Sequence, residues 1–434
     1  GNAGWGWDDV LPYFKRSENN DRGPGPFHSA DGPLAVSDPV VVHPSIVDFI
    51  DAAGNCGIRR LDDLNTGDQD GVGLLQFNIR DGARESSYDA FLKPVRHRRN
   101  LVVKTGAHVA RVLFKDRSAT GVELLLGGKR TSFSATREVI LCAGALSSPH
   151  LLMLSGIGDG EMLQRHGVPV RAHSPGVGQN LQDHFSVRVQ ARATAQSSYN
   201  RDLVGLRKYW QGVRYVLQKK GYLALGSSTA AAFVKSNPSL EYADLELSFR
   251  PMTFGFTASG EVAVDRDPAV SASVYRVRPA SRGDVILRSP DPMQPPAFNP
   301  NYLGHPDDVA ATLSGVRQLR RILATAPLSA RILGELTPGA KAASDEQLLD
   351  YMEREGHCAF HPAGTCKMGR DSMAVVDDRL RVRGVERLRV VDASIMPVVT
   401  SGNTNAPTIM IGEKGADMIR ADAVAARRTA ANPA

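Results

Sequence analysis

Four cysteines (Cys56, Cys142, Cys358, Cys366) in 434 residues are too few and too scattered for a disulfide framework, which favours a reducing compartment. No stretch reaches the ~18 unbroken apolar residues of a membrane span. These residues also hold no basic stretch followed by an apolar run of the secretory kind. Charge of one sign is nearly balanced: 52 Lys+Arg against 46 Asp+Glu leaves +6, and the basic residues are scattered. The densest run, Arg96-His97-Arg98-Arg99, reads as a solvated turn rather than the clustered footprint of a nucleic-acid binder. No 20–50-residue repeat and no low-complexity tract occurs. What is present is a globular composition, 42% hydrophobic and 23% charged, which excludes wholesale disorder. At about 150 residues per domain the length suggests two to three domains. The expected location is cytoplasmic, with peripheral attachment to a membrane left open.

Local patterns predict the organisation. Asp8 before an apolar turn starts a helix near the beginning, and His43–Ala53 has helical spacing. A strand is expected within Leu74–Ile79 and a short helix over Ser86–Leu92, stopped at Pro94. Short runs at Leu101–Lys104, Ala107–Phe114, Gly121–Leu126, Arg130–Ala135 and Glu138–Cys142 read as an antiparallel meander. The last run leads into a small-residue turn and a helix over His150–Leu154, a unit able to hold a nucleotide. From about Asp183 to Glu355, alternating runs (Phe185–Ala191, Ala272–Arg278, Asp284–Leu287) mix with helices (Leu203–Lys219, Pro306–Ala324, Asp345–Glu355), predicting an antiparallel sheet with helices. A buried-type strand at Leu388–Val391 then reaches Asp392, a loop and a helix over Thr408–Arg420, and the tail after Asp422 is expected to fray.

Three strings could carry chemistry. Gly144–Gly158 is a glycine-containing strand-to-helix connection with no Lys after the glycines, so it is not a Walker loop. His357-Cys358-Ala-Phe360-His361-Pro362-Ala-Gly364-Thr-Cys366-Lys-Met368-Gly369 crowds two His and two Cys together, but without zinc-ligand spacing, so no metal is expected. Its alternatives are a packed histidine and a base held on a rigid Pro-Gly loop; imidazole titrates near neutrality. Leu388–Asp417 places Asp392 at a strand end, where α/β sheets bind ligands, and sets Asn403 and Asn405 in a loop before a helix N-terminus, with Thr404 and Thr408 as caps.

These strings, in this order, resemble the glucose–methanol–choline (GMC) flavoprotein oxidoreductases. The likeness extends to Gly4-Trp-Gly-Trp-Asp-Asp-Val-Leu-Pro-Tyr-Phe14, Gly82–Leu92 and Pro175-Gly-Val-Gly178-Gln-Asn180-Leu-Gln-Asp183-His184, and so covers nearly the whole chain. One feature departs from the family. No Gly-x-Gly-x-x-Gly turn occurs anywhere in these residues. The expectation is therefore an N-terminally truncated chain, inactive and poor in FAD retention by itself. A missing part carried on a separate chain is the alternative.

The resemblance implies an α/β FAD-binding domain, Rossmann-like with a β-meander and lacking its first βαβ segment. It is interleaved with an α+β antiparallel-sheet substrate domain. The expected boundaries are 1–32, 97–182 and 374–422 for the FAD domain, and 33–96 and 183–373 for the substrate domain. By resemblance His361 is the base that removes the hydroxyl proton of an alcohol, with Asn403 its polar partner; His184 and His357 are the fallback bases. Val109, Ala143, Gly144, Asp392, Ala393 and Asn405 are expected along FAD, and Phe360 on the substrate pocket wall. The implied activity is FAD-dependent oxidation of a primary alcohol to an aldehyde, with electrons passed to a quinone or another non-O2 acceptor. An oxidase using O2 and a flavin-binding hydroxynitrile-lyase-like enzyme are the rivals. Choline is one family substrate, but at 6% aromatics no cage for a quaternary ammonium can be located in the sequence.

Overall fold

Period-2 alternation builds the largest sheet. In Phe185–Ala193, Leu245–Phe249 and Val270–Val274, every second residue is apolar and lies on one face. The computed structural model, which describes residues 2–226, 228–257, 259 and 261–431, places these strands side by side. The order is Ile332–Thr337, Phe185–Ala193, Ala269–Arg276, Leu245–Arg250, Ala230–Val234 and Gly71–Leu74, with antiparallel neighbours throughout. The short strand His357–Cys358 pairs with the start of Phe185–Ala193. Val187, Val189, Leu247, Phe249, Ala272 and Val274 meet helices Pro44–Asn55, Pro306–Leu323 and Asp345–Glu355 in one core. Phe49 and Phe249 stack there at 4.8 Å; burying each ring contributes about 1.5–3 kcal/mol. Ser, Arg, Glu and Tyr side chains occupy the opposite face.

A second core gathers the remaining elements. Val139–Leu141 pairs in parallel with Leu388–Val390, and helix Gly144–Leu154 follows the first strand. The meander is Ala107–Lys115, Ser118–Leu126 and Lys129–Ser134. Leu141, Leu152, Met153, Val390, Ile395 and Met410 fill this core, joined by Ala363, Cys366 and Met368 from the histidine loop. Buried Arg389 holds its edge, paired with Glu138 at 2.6 Å and with Asp422 at 2.7 Å.

Several elements differ from expectation. Val139–Leu141 is not a fourth meander strand but half of the parallel pair. Leu101–Lys104 forms no strand: Val102 is 73% exposed, and β-branched residues favour strands only where a face packs. The Leu74–Ile79 strand is split into Gly71–Leu74 and Ile79–Arg80. Tyr88–Leu92 is a π turn that runs into a 3₁₀ turn, Lys93–Val95, where Pro94 sits in the first turn and loses no helical bond. The last helix spans Asn405–Ala431 rather than fraying after Asp422. Its Ala/Arg-rich end has high helix propensity, and Asp422 ties it to Arg379 and Arg389.

Candidate functional site

The histidine loop is fixed at both ends before any side chain acts. Gln182 and Ala363 exchange backbone hydrogen bonds, of 3.0 and 2.9 Å. Gly364 has φ +95, and a Cβ there would lie 2.5 Å from the Asn180 carbonyl, so glycine is required. Further on, the Cys366 N–H donates to the Ser394 carbonyl at 2.8 Å, lashing the loop to the segment after Asp392. Phe360 adopts φ +63, an uncommon conformation for a bulky residue. Its N–H rests on Cys358 Sγ at 3.1 Å, and the next N–H, of His361, donates to Asp183 Oδ1 at 2.8 Å. Asp183 Oδ1 also accepts from the His184 N–H, and Oδ2 from the Tyr302 hydroxyl at 2.6 Å. One buried carboxylate thus orients both histidines. Phe360 is 82% exposed and projects beside His361.

The two imidazoles define each other's proton positions. His184 Nε2 lies 2.9 Å from the Val277 carbonyl, which can only accept, so Nε2 carries the hydrogen. Burial and the neighbouring His361 push the His184 pKa down to about 3, so its ring is neutral and its Nδ1 is an acceptor. His361 Nδ1, 2.9 Å away, must then be the donor. The consequence is that His361 Nε2 is left with its lone pair. Asn403 Nδ2 sits 3.1 Å from that atom and donates to it. The pair 42 residues apart in sequence therefore converges at one point. Burial also lowers the His361 pKa, with Asp183 opposing, which keeps the free-base form at neutral pH. Tyr275 stacks on His184 at 4.7 Å and directs its hydroxyl to buried Glu246, whose pKa burial raises to about 7. Motif reading did not mark Tyr275, Glu246 or Asp183 as site residues. Alternation along Leu245–Arg250 and Ala269–Arg276 was the signal available.

On the other side of the loop the groups suit a nucleotide cofactor. Gly144 has φ +81 with open space where a Cβ would stand, and Cys142 and Ala143 beside it are exposed. Asn405 and Ala406 open the last helix with exposed residues whose N–H groups meet no acceptor among the described residues. A helix N-terminus of this kind favours negative charge. Asp392 follows the parallel strand, as expected, but its carboxylate is fully engaged. It accepts from the Gly144 N–H at 3.0 Å, the Ser148 hydroxyl at 2.5 Å and the Ser394 N–H at 2.8 Å. Asp392 therefore braces the Gly144 turn, and only its backbone and that of buried Ala393 remain to face a ligand. Val109 lies half-buried in the meander beside a register shift at Ala110. The Asn405 side chain donates to Asn78 Oδ1 at 3.1 Å, leaving its backbone for the ligand.

A parallel strand pair beside an exposed glycine turn, a meander and a polar sheet next to an unprotonated imidazole nitrogen are an arrangement that a flavin-dependent oxidoreductase can use. The chain belongs to the GMC oxidoreductase family: models of that description match residues 1–186 and 279–412. Its cofactor is FAD. The "Oxygen-dependent choline dehydrogenase" of Rhizobium etli (strain CIAT 652) is 41% identical over 424 residues, covering 96% of this chain and 76% of the relative. The mitochondrial choline dehydrogenase of Homo sapiens is 38% identical, covering 97% and 70%. Among solved structures, pyridoxine 4-oxidase from Mesorbium loti superposes with TM-score 0.83 at 30% identity, over 95% of this chain and 77% of that one. A variant of formate oxidase from Aspergillus oryzae RIB40 gives TM-score 0.88 at 26% identity, over 96% and 78%.

Proposed function

We propose that this protein oxidises a primary alcohol to an aldehyde with His361 as the base, and passes the electrons to an acceptor other than O2. The observation that carries the reading is the Val277–His184–His361–Asn403 chain, which leaves His361 Nε2 unprotonated beside a polar partner. FAD, when bound, supplies the hydride acceptor. It would be held by the Ala143–Gly144 turn, the backbone of Asp392 and Ala393, the Val109 region and the Asn405 helix start. His361 Nε2 takes the hydroxyl proton, so that hydride leaves a substrate carbon whose oxygen has alkoxide character. Asn403 donates to the developing negative oxygen. The Nδ1–H to His184 keeps the resulting imidazolium in place. The relatives named choline dehydrogenase support alcohol oxidation as the reaction type, with choline among the candidate substrates. In the FAD-loaded protein, His361→Ala should slow flavin reduction by alcohol about 10²–10⁴-fold. Near-normal reduction by that variant would place the base elsewhere.

A specific surface favours a membrane-bound acceptor such as a quinone. Helix Arg207–Gln218 turns an apolar stripe outward: Leu206 is 86% exposed, Trp210 67% and Leu217 77%, with Tyr209, Val213 and Val216 on the same face. Arg207, Lys208, Arg214, Lys219 and Lys220 flank it, with no acidic residue between 203 and 240. Such a helix suits the surface of an anionic bilayer, although no helix among the described residues is long and apolar enough to cross one. Flotation with phosphatidylglycerol vesicles should carry the protein, and Trp210→Glu with Leu217→Glu should abolish it. Equal flotation of the double variant refutes this placement.

A further inference from the structure

The polar face of the large sheet holds two arginines with no counter-charge. Arg188 lies on strand Phe185–Ala193, four positions after His184, which immediately precedes that strand, and Arg250 lies two ladders across on the same face. Most half-buried arginines of this fold have carboxylates: Arg276 meets Asp308, Arg320 meets Glu335, and Arg389 meets Glu138 and Asp422. Arg188 and Arg250 have none within ion-pair distance among the described residues, and none of the residues outside that set is acidic. Both Nε atoms are buried without an acceptor, as is the Ser271 hydroxyl, whose residue pairs with Arg250 across the ladder. The contacts they do have are weak. Arg250 reaches the Ser273 hydroxyl at 3.4 Å, and both guanidiniums lie over the Phe254 ring, at 4.9 Å for Arg188 and 5.7 Å for Arg250.

Leaving two like charges together in a dry site is costly unless something neutralises them. Their charge is felt by the neighbouring groups. Burial and Arg188 push Arg250 down to about 10, and burial with both guanidiniums pushes His357 down to about 4. Glu246 is an acid on this face, four residues before Arg250 on the same strand, but its carboxyl is engaged by the Tyr275 hydroxyl and is raised towards the neutral form. A positively charged cluster with unfilled donors therefore lies on the sheet face that leads to the proposed base.

We propose that the substrate is an alcohol carrying a carboxylate, seated with its hydroxyl at His361 and its carboxylate between Arg188 and Arg250. The proposal rests on the alcohol-oxidation reading and names the substrate class for it. A guanidinium presents a planar fork that matches a carboxylate, and Nε is one tine of the usual bidentate pair. His184 immediately precedes the strand, and four residues of extended chain at ~3.3 Å each put up to about 13 Å between the His184 and Arg188 backbones. The substrate must therefore hold its two ends apart with a spacer of several atoms, which the Phe254 ring can cover. A quaternary ammonium such as choline would meet two positive charges on this wall.

The test uses the FAD-loaded protein and ω-hydroxy carboxylates of six to ten carbons, their methyl esters, and choline. Flavin reduction per unit concentration should favour the acid over its ester by about 10–10²-fold, the scale of charge-assisted hydrogen bonds. Arg188→Gln and Arg250→Gln should each collapse that preference to within a few-fold, mainly through KM. Binding of octanoate, measured calorimetrically without turnover, should be lost in the same variants. Reduction by the ester or by choline that equals or exceeds the acid's overturns the proposal, as does octanoate binding indifferent to both arginines. Failure of every alcohol to reduce flavin, with arginine-dependent octanoate binding intact, would sink the alcohol-oxidation reading and leave the anion site standing.

Discussion

His184 tests the proton logic of the site without removing its base. It is fully buried, stacked on Tyr275, and accepts the Nδ1–H of His361. His184→Leu removes that acceptor and leaves a buried N–H unpartnered, at a cost of about 1–3 kcal/mol. The ring escapes the cost by moving its proton to Nε2 or by rotating, and either change removes the free nitrogen from the substrate side. Since each 1.36 kcal/mol is tenfold in rate, flavin reduction should slow by about 10–10²-fold. His184→Gln separates this effect from packing. Its amide can donate to the Val277 carbonyl while its oxygen accepts from His361 Nδ1, so the tautomer is retained and the rate should recover to within a few-fold of wild type. Stopped-flow reduction of bound flavin from pH 5 to 10 is the assay. In the wild type the rate should rise with pH through one ionisation below 6.5, because burial lowers the His361 pKa. Equal slowing in the Leu and Gln variants with unchanged pH profiles would reduce His184 to a packing role, and a Leu variant as fast as wild type would refute the tautomer argument.

Asn403→Ala should slow flavin reduction less than His361→Ala does, because it loses a donor to the developing alkoxide and not the proton acceptor; the same stopped-flow series ranks the two. Acid should destabilise the fold early. His184 titrates near 3 and His357 near 4 when folded, against about 6.5 unfolded. Lowered histidine values mean that the unfolded chain binds more protons, so stability is intact above about 6.5 and falls as pH drops towards 4. At pH 4.5 the His184 share is about 2–3 kcal/mol. Urea midpoints across pH 4.5–7.5 check this, and His184→Gln should flatten the slope.

The placement of the candidate groups was legible because it rides on local strings. His361 sits on a loop whose Gly364 is demanded by the Asn180 carbonyl, and Asn403 precedes a helix start, so both residues lie where sequence grammar alone draws the eye. Pairing was less legible. Val139–Leu141 follows the meander closely in sequence, yet its partner, Leu388–Val390, lies some 250 residues later, and no local spacing encodes a parallel partner at that distance. Asp392 illustrates an intermediate case. Its position at a strand end was readable, but whether its carboxylate faces a ligand or the protein depends on Ser148 and Ser394, which burial orients.

The polar wall was hidden by the rule that finds strands. Alternation such as Val187-Arg188-Val189-Gln190 or Leu245-Glu246-Leu247-Ser248-Phe249-Arg250 ordinarily marks one face on the core and one in water. Here both faces are covered. Ser186, Glu246, Ser248, Ser271, Ser273 and Tyr275 are all buried, beneath a segment that brings Phe254 over the two arginines. A sheet that buries polar side chains must repay their lost hydration with hydrogen bonds, and on this face the repayment is incomplete at Arg188, Arg250 and Ser271. Just before strand Phe185–Ala193, His184 is satisfied at both ring nitrogens, while Arg188, four residues further on, is not. The His184–His361 end of the wall is thus preorganised by the protein itself, and the proposed anion site at the arginine end would be completed by what binds there. That division suits an enzyme that fixes its base permanently and lets substrate charge complete the pocket, with specificity set by the two guanidiniums rather than by the histidine.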